Sequence, residues 1–103
     1  MNQHAIEATF ARLGYRRAIH STTYLRFSTD DGCPTGVSIS VSATLEGDRW
    51  AFAACVASDR DMEPIHEGYR YPENEQELEF MLAQFGARSH EHRLARMAER
   101  MAT

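Results

Sequence analysis

The chain has 103 residues, of which 43% are hydrophobic and 25% charged, and its formal net charge is −4. This length fits one domain spanning residues 1–103, and the composition excludes wholesale disorder and a collagen-like structure. No stretch approaches the ~18 apolar residues of a membrane span, and residues 1–20 lack the apolar core of a secretory signal, so we expect a cytoplasmic protein outside any membrane. All eleven basic residues are Arg, which excludes chemistry that needs a lysine, such as a P-loop or a Schiff base.

The first predicted element is an amphipathic helix that ends near Gly14, because glycine is the usual residue just after a helix C-terminus. Its apolar residues recur at helical spacing: Ile6, Phe10 and Leu13. We expect the helix to pack on the core through this face.

Three strands are predicted between residues 18 and 57. In the first, Ala18 to Ser28, the odd positions are expected to face the core, most clearly Leu25 and Phe27. The second strand alternates strictly, with these residues on its apolar face: Val37, Ile39, Val41, Ala43 and Leu45. A short hairpin loop at Glu46-Gly47-Asp48 leads into the third strand, Arg49 to Ala57, whose core face is expected to carry Trp50, Phe52, Ala54 and Val56.

Two helices are predicted after a polar connection. Asn74 is the expected N-cap of the first, with Glu77 at the capping-box position. Its core-facing residues are Leu78, Met81, Leu82 and Phe85. Gly86 is expected to end or kink this helix, and Ser89 to cap a final helix over residues 88–102.

The resulting order α-β-β-β-α-α predicts an α+β fold, a three-stranded antiparallel meander with the helices packed on one face. One continuous helix over residues 74–102 would span ~43 Å, against ~30 Å for a nine-residue strand. Its end must therefore protrude, bend at Gly86 or pack on a second copy. We favour a homodimer, with helix 88–102 as the dimerisation element and Leu94, Met97 and Met101 as contacts.

Negative charge is concentrated in residues 59–79, which we call the acidic segment. Its eight acidic residues are the candidate partner-binding residues: Asp59, Asp61, Glu63, Glu67, Glu73, Glu75, Glu77 and Glu79. Residues 80–103 carry a net charge of +2, so the molecule is polarised. A partner protein with a basic surface would be attracted to the acidic segment, which could otherwise be an ordinary solvated face.

The sheet face away from the helices is a second candidate contact surface. It is expected to be flat and to carry small or polar side chains, among them His20, Tyr24, Arg26, Ser38, Ser40 and Ser42. Such a surface suits a protein partner or a second sheet, and equally an ordinary solvated sheet face.

No metal or cofactor site is predicted. The acidic run that begins at Asp59 lacks the glycine of a calcium loop, since Pro64 stands at its sixth position. His90 and His92 are two residues apart, so on a helix they point to different sides, unlike the i, i+4 pair of a zinc protease. Two cysteines, Cys33 and Cys55, form no CxxC pair and suggest a reducing cytosol.

Catalysis is not expected either. Serines occur as the polar face of a strand rather than in a nucleophile elbow, and no cation beside Cys33 would lower the pKa of its thiol. An enzyme with its site at a dimer interface remains a third interpretation.

Nucleic-acid binding is the second interpretation. The order of one helix, three strands and a helix resembles that of the double-stranded-RNA-binding domain, a family with a basic cluster at the start of its last helix. Here that place carries Glu73, Glu75, Glu77 and Glu79, which would repel phosphate, so binding to nucleic acid would have to use the Arg-bearing C-terminal helix.

The sequence therefore favours a small, acidic, non-catalytic protein-binding domain with a regulatory or inhibitory role. Inhibitors of host complexes from phages or mobile elements, immunity proteins and secretion chaperones share this physical profile. No motif in the chain assigns it to a family.

Overall fold

The computed structural model describes residues 1–27, 37–57, 62–64 and 70–102, and of residues 57, 62–64 and 100 it describes only the backbone. These residues form two helices and five strands. The helices are α1 (Gln3–Arg12) and α2 (Glu75–Ala102). The strands are β1 (Tyr15–Arg17), β2 (Thr23–Phe27), β3 (Val37–Glu46), β4 (Arg49–Ala57) and β5 (Met62–Pro64). The α+β class is confirmed.

The five strands form one antiparallel sheet in the order β1-β2-β3-β4-β5, so each strand pairs with its neighbour along the chain. The predicted meander is present, but the prediction of three strands was wrong. The first residues of the predicted strand Ala18 to Ser28 form a turn, in which His20 has a φ of 57°, and β1 lies before the predicted start. Residues before and after this turn form the β1–β2 hairpin, and the Ala18 amide donates to the Thr23 carbonyl at 2.9 Å.

Alternation predicts the core-facing side correctly over residues 39–43 of β3 and 52–56 of β4, but the prediction that Leu45 faces the core was wrong, because Leu45 lies beyond the core and is 55% exposed. Ile39, Val41 and Ala43 are buried on β3, opposite Val56, Ala54 and Phe52 on β4. The turn between the strands is the predicted hairpin, and Gly47 has the positive φ of 66° that a tight hairpin turn requires.

The orientation predicted for β2 was wrong. Tyr24 pairs with Val41, so it shares the core face, whereas Phe27 is 51% exposed. Tyr24 stacks on Phe10 of α1 with ring centroids 4.0 Å apart. The tyrosine ring can fill the core because its body is apolar, and pairing with β3 decides the orientation.

Both helix starts are capped by an asparagine, which was predicted for Asn74. The Asn2 side chain accepts from the Ala5 amide at 2.8 Å, and the Asn74 side chain accepts from the Glu77 amide at 2.9 Å. These bonds satisfy amides that have no partner within their helix. Gly14, with a φ of +87°, follows the end of α1 as predicted.

Helix α2 packs on the sheet and joins α1 in the single core cluster of the described residues. The prediction of two C-terminal helices was wrong, because α2 continues through Gly86 without a break. Ser89 is therefore not a cap but a buried residue inside the helix. In the described part of the chain, no helix combines the length and apolarity needed to cross a bilayer.

Candidate interaction surface and cationic cavity

Helix α2 packs in the core through residues 78–89. The inner face buries Leu78, Met81, Leu82, Phe85 and Ser89. After Ser89, none of the described side chains of α2 is buried. Twenty-eight residues of helix are about 42 Å long at 1.5 Å per residue. The second half of α2 therefore extends beyond the core.

A second apolar stripe lies on the side of α2 that faces away from the sheet. Phe80 is 68% exposed, Leu94 51% and Met101 86%, and Met97 is exposed beside them. Exposed apolar residues are common when single, but a row of them along one helix face is typical of an interaction site. The predicted dimer contacts Leu94, Met97 and Met101 thus lie together on an accessible face.

The spacing of this stripe is that of a coiled-coil seam. Phe80, Ala87, Leu94 and Met101 are seven residues apart, like position a of a heptad, and Ala83, His90 and Met97 fall at position d. We call these seven residues the outer stripe; Ala83 and His90 lie at its edge, where they also line a cavity between α2 and the sheet. Sequence reasoning missed Phe80, although the seven-residue repeat that ends at Met101 could have found it.

Two of the four carboxylates of the acidic segment that the structure describes bond to other groups of the chain. Glu79 forms an ion pair with Arg12 of α1 at 3.1 Å, and the Glu77 carboxylate accepts from the Glu73 amide at 2.6 Å. Glu73 and Glu75 are exposed near the start of α2. Asp59, Asp61, Glu67 and Cys33 lie outside the described residues, as does the side chain of Glu63.

The predicted sheet-face surface is divided between two sides of the sheet. Tyr24 is buried in the core, and Arg26 pairs with Tyr15 and Ile39 on the helix side. Ser40 and Ser42 are half-buried on the sheet face away from the helices, which we call the open face, together with Cys55. His20 lies in the β1–β2 turn. The expectation that Tyr24 and Arg26 share a face with Ser40 and Ser42 was therefore wrong, for the same reason as the orientation of β2.

Arg26 instead forms one wall of a cavity of about 360 Å³ between the sheet and α2. The described residues that line it are Arg26, Phe27, Ser38, Ile39, Ala83, Gly86, Ser89, His90 and Arg93. We call this the Arg26–Arg93 cavity. Sequence reasoning could not find it, because its two arginines come from opposite ends of the chain.

Serine side chains hold the two walls of the cavity together. The Ser89 hydroxyl donates to the Ser38 carbonyl and accepts from Nη1 of Arg93, both at 3.2 Å. Ser38 is the extra residue of a β-bulge, since Arg26 pairs with Ile39 while Phe27 pairs with Val37. Its hydroxyl donates to the Arg26 carbonyl at 3.0 Å. The two serines thus link Arg26 on the sheet to Arg93 on the helix.

Arg26 lies between Tyr15 and α2. Burial raises the pKa of the Tyr15 phenol, and the positive charge of Arg26 acts more weakly in the opposite direction. The Tyr15 hydroxyl has no hydrogen-bond partner of good geometry among the described residues. On the other side, Nη1 of Arg26 is 3.2 Å from where a Cβ on Gly86 would lie. A side chain at residue 86 would therefore press on the guanidinium.

None of the other arginine side chains that the structure describes lines this cavity. Arg17 pairs with Glu7 at 2.7 Å, Arg96 pairs with Glu99 at 3.3 Å, and Arg16 lies on the opposite face of β1 from Arg17. A single basic patch of the kind that a nucleic acid needs is not formed by these described residues. Groups of three or more His, Cys, Asp or Glu that could hold a metal ion are likewise absent from the described part.

Comparison of the chain with protein-family models, with curated proteins and with solved structures finds no match.

Proposed function

We propose that this chain is a non-catalytic protein-binding domain that assembles through the outer face of α2, and that its first partner is a second copy of itself. The observation that carries the proposal is the outer stripe, which places Phe80, Leu94 and Met101 in solvent on a helix already packed by its other face. A regulatory or inhibitory role would be exercised by the assembled dimer.

The charge distribution along α2 favours an antiparallel pair. Four acidic residues and no basic residue occupy positions 73–79, whereas residues 88–100 carry four Arg against two Glu. A parallel pair would place each end beside its own copy and bring like charges together. An antiparallel pair places the acidic end of one helix beside the basic end of the other, which is attractive.

The stripe also suggests a register for such a pair. In antiparallel coiled coils, position a of one helix packs against position d of the other. Pairing Phe80 with Met97 of the second copy then places Leu94 against Ala83 and Ala87 against His90. Each large side chain meets a smaller or more flexible one, which allows close packing.

Analytical ultracentrifugation over a range of concentrations tests this proposal with a matched pair of variants. Leu94→Glu places a carboxylate in the outer stripe, and Ala95→Glu places the same group at the neighbouring exposed position outside it. Burial of one leucine contributes about 2 kcal/mol, and a symmetric dimer buries two. We expect the wild type and Ala95→Glu to reach twice the 11.7 kDa chain mass, and Leu94→Glu to dissociate at least about 100-fold more easily.

Circular dichroism and thermal unfolding provide the control, since both positions are exposed and both variants should remain folded. A wild-type protein that stays monomeric at millimolar concentration would overturn the proposal. Equal dimerisation of Leu94→Glu and Ala95→Glu would show that the copies meet through a different face.

A further inference from the structure

The Arg26–Arg93 cavity gathers positive charge without a carboxylate among its described lining residues. Two guanidinium groups, the His90 imidazole and the hydroxyls of Ser38 and Ser89 line it. A cavity at the other end of the sheet differs, because Asp48 and Glu73 line it together with Arg49. The Arg26–Arg93 cavity is therefore the one of these two that suits an anion.

The arginines of this cavity are positioned by the surrounding structure. Arg93 donates to Ser89, which is 2% exposed, and Ser89 in turn donates to the β3 backbone. Arg26 lies over Gly86, whose missing side chain leaves room for the guanidinium beside the helix. A glycine inside a helix is less stable than alanine by roughly 0.5–1 kcal/mol, so its presence here fits a need for close approach.

We propose that the Arg26–Arg93 cavity binds a phosphate group carried by a small molecule. A carboxylate has two oxygens in one plane, which a single arginine can satisfy through two parallel bonds. A phosphate monoester has three terminal oxygens in a tetrahedral arrangement, so it can receive donors from both walls at once. The volume of about 360 Å³ has room for more than a bare phosphate ion.

The proposal is tested by NMR titration of the ¹⁵N-labelled full chain at pH 7 and constant ionic strength. Pyrophosphate is the phosphate probe, and malonate is the dicarboxylate probe. We expect pyrophosphate to shift the amide signals of residues 26, 38 and 86–93, and to bind at least tenfold more tightly than malonate. Arg26→Gln and Arg93→Gln should each weaken pyrophosphate binding at least tenfold.

Arg16→Gln is the matched control, because Arg16 is exposed on β1 but does not line the cavity, and it should bind pyrophosphate like the wild type. Gly86→Ala keeps both arginines and should weaken pyrophosphate binding several-fold, because the added methyl group displaces the Arg26 guanidinium. This variant is a second test if a glutamine variant fails to fold. Signals that do not move, malonate binding as tight as pyrophosphate, or equal weakening in Arg16→Gln would each overturn the proposal.

Discussion

The guanidinium of Arg26 lies against α2 at Gly86, and Nη1 is only 3.2 Å from where a Cβ on that glycine would lie. Arg26 belongs to β2 and Gly86 to the middle of a 28-residue helix, so the contact joins the sheet to α2 at one point. The glycine makes room for a neighbouring strand's side chain and does not interrupt its own helix.

Gly86→Ala should raise the free energy of unfolding by about 0.5–1 kcal/mol, because alanine is the better helix former and the end of the Arg26 side chain can move aside. Urea unfolding followed by circular dichroism measures the change. Gln84→Gly, at an exposed position of α2 outside the outer stripe, is the reverse control and should lower stability by roughly 0.5 kcal/mol. A destabilised Gly86→Ala would show that Arg26 is held in place too firmly to yield.

The raised pKa of Tyr15 makes stability depend on alkaline pH. The neutral phenol is favoured in the folded state, so this stabilisation is fully present below the ordinary tyrosine pKa of about 10. It is lost as the pH rises through the higher pKa of the folded protein. Unfolding free energies measured between pH 8 and pH 11 should therefore fall less in Tyr15→Phe than in the wild type.

Tyr24 also has a raised pKa, mainly through burial, so Tyr15→Phe should keep part of the decline. Tyr71→Phe serves as the comparison, because Tyr71 is exposed at 38% and its hydroxyl donates to Glu46 at the surface. An equal decline in the wild type and Tyr15→Phe would contradict the assignment to Tyr15.

Ser89→Ala should destabilise the protein by about 1 kcal/mol. It removes a buried hydroxyl that donates to the Ser38 carbonyl and leaves that carbonyl without this donor, although alanine recovers some helix propensity. Ser42→Ala, on the half-buried open face of β3, should change stability by less than about 0.5 kcal/mol. Urea denaturation distinguishes the two, and equal effects would mean that the Ser89 bond contributes little.

The proposed antiparallel arrangement of two α2 helices can be checked by disulfide formation in a background with Cys33 and Cys55 replaced by serine. Phe80→Cys and Met97→Cys chains, mixed and oxidised, should form a mixed disulfide, because the proposed register places these residues together. Phe80→Cys alone should remain uncrosslinked, since two copies of residue 80 lie at opposite ends of the pair. Rapid crosslinking of Phe80→Cys alone would indicate a parallel pair.

Strands β3 and β4 could be predicted from sequence because the alternation of their residues indicates one core-facing side. Apolar residues occupy every second position from Ile39 to Ala43, and the burial follows them. Strand β2 is ambiguous, since Tyr24 and Leu25 give either face an apolar residue. Pairing with β3 resolves this, and that pairing depends on residues distant in the chain.

The continuous course of α2 shows the same limit of local signals. Gly86 is an ordinary signal of a helix end and Ser89 of a helix start, but tertiary contacts override both. The guanidinium of Arg26 lies over Gly86, and the Ser89 hydroxyl donates to the Ser38 carbonyl. The exposed apolar residues Leu94, Met97 and Met101 could be grouped from sequence because they follow helical spacing within one segment. The cavity was not, because no local pattern links Arg26 to Arg93.

The sheet order has a consequence for how the chain folds. Each named strand pairs with the strand that follows it in sequence, so the contacts of the sheet are mostly local apart from the bridge between Phe52 and Arg70. The α1–α2 contact is different, since the pair Arg12–Glu79 spans 67 residues. The strand pairing of the meander is therefore local along the chain, whereas the contact between α1 and α2 requires segments 67 residues apart to meet.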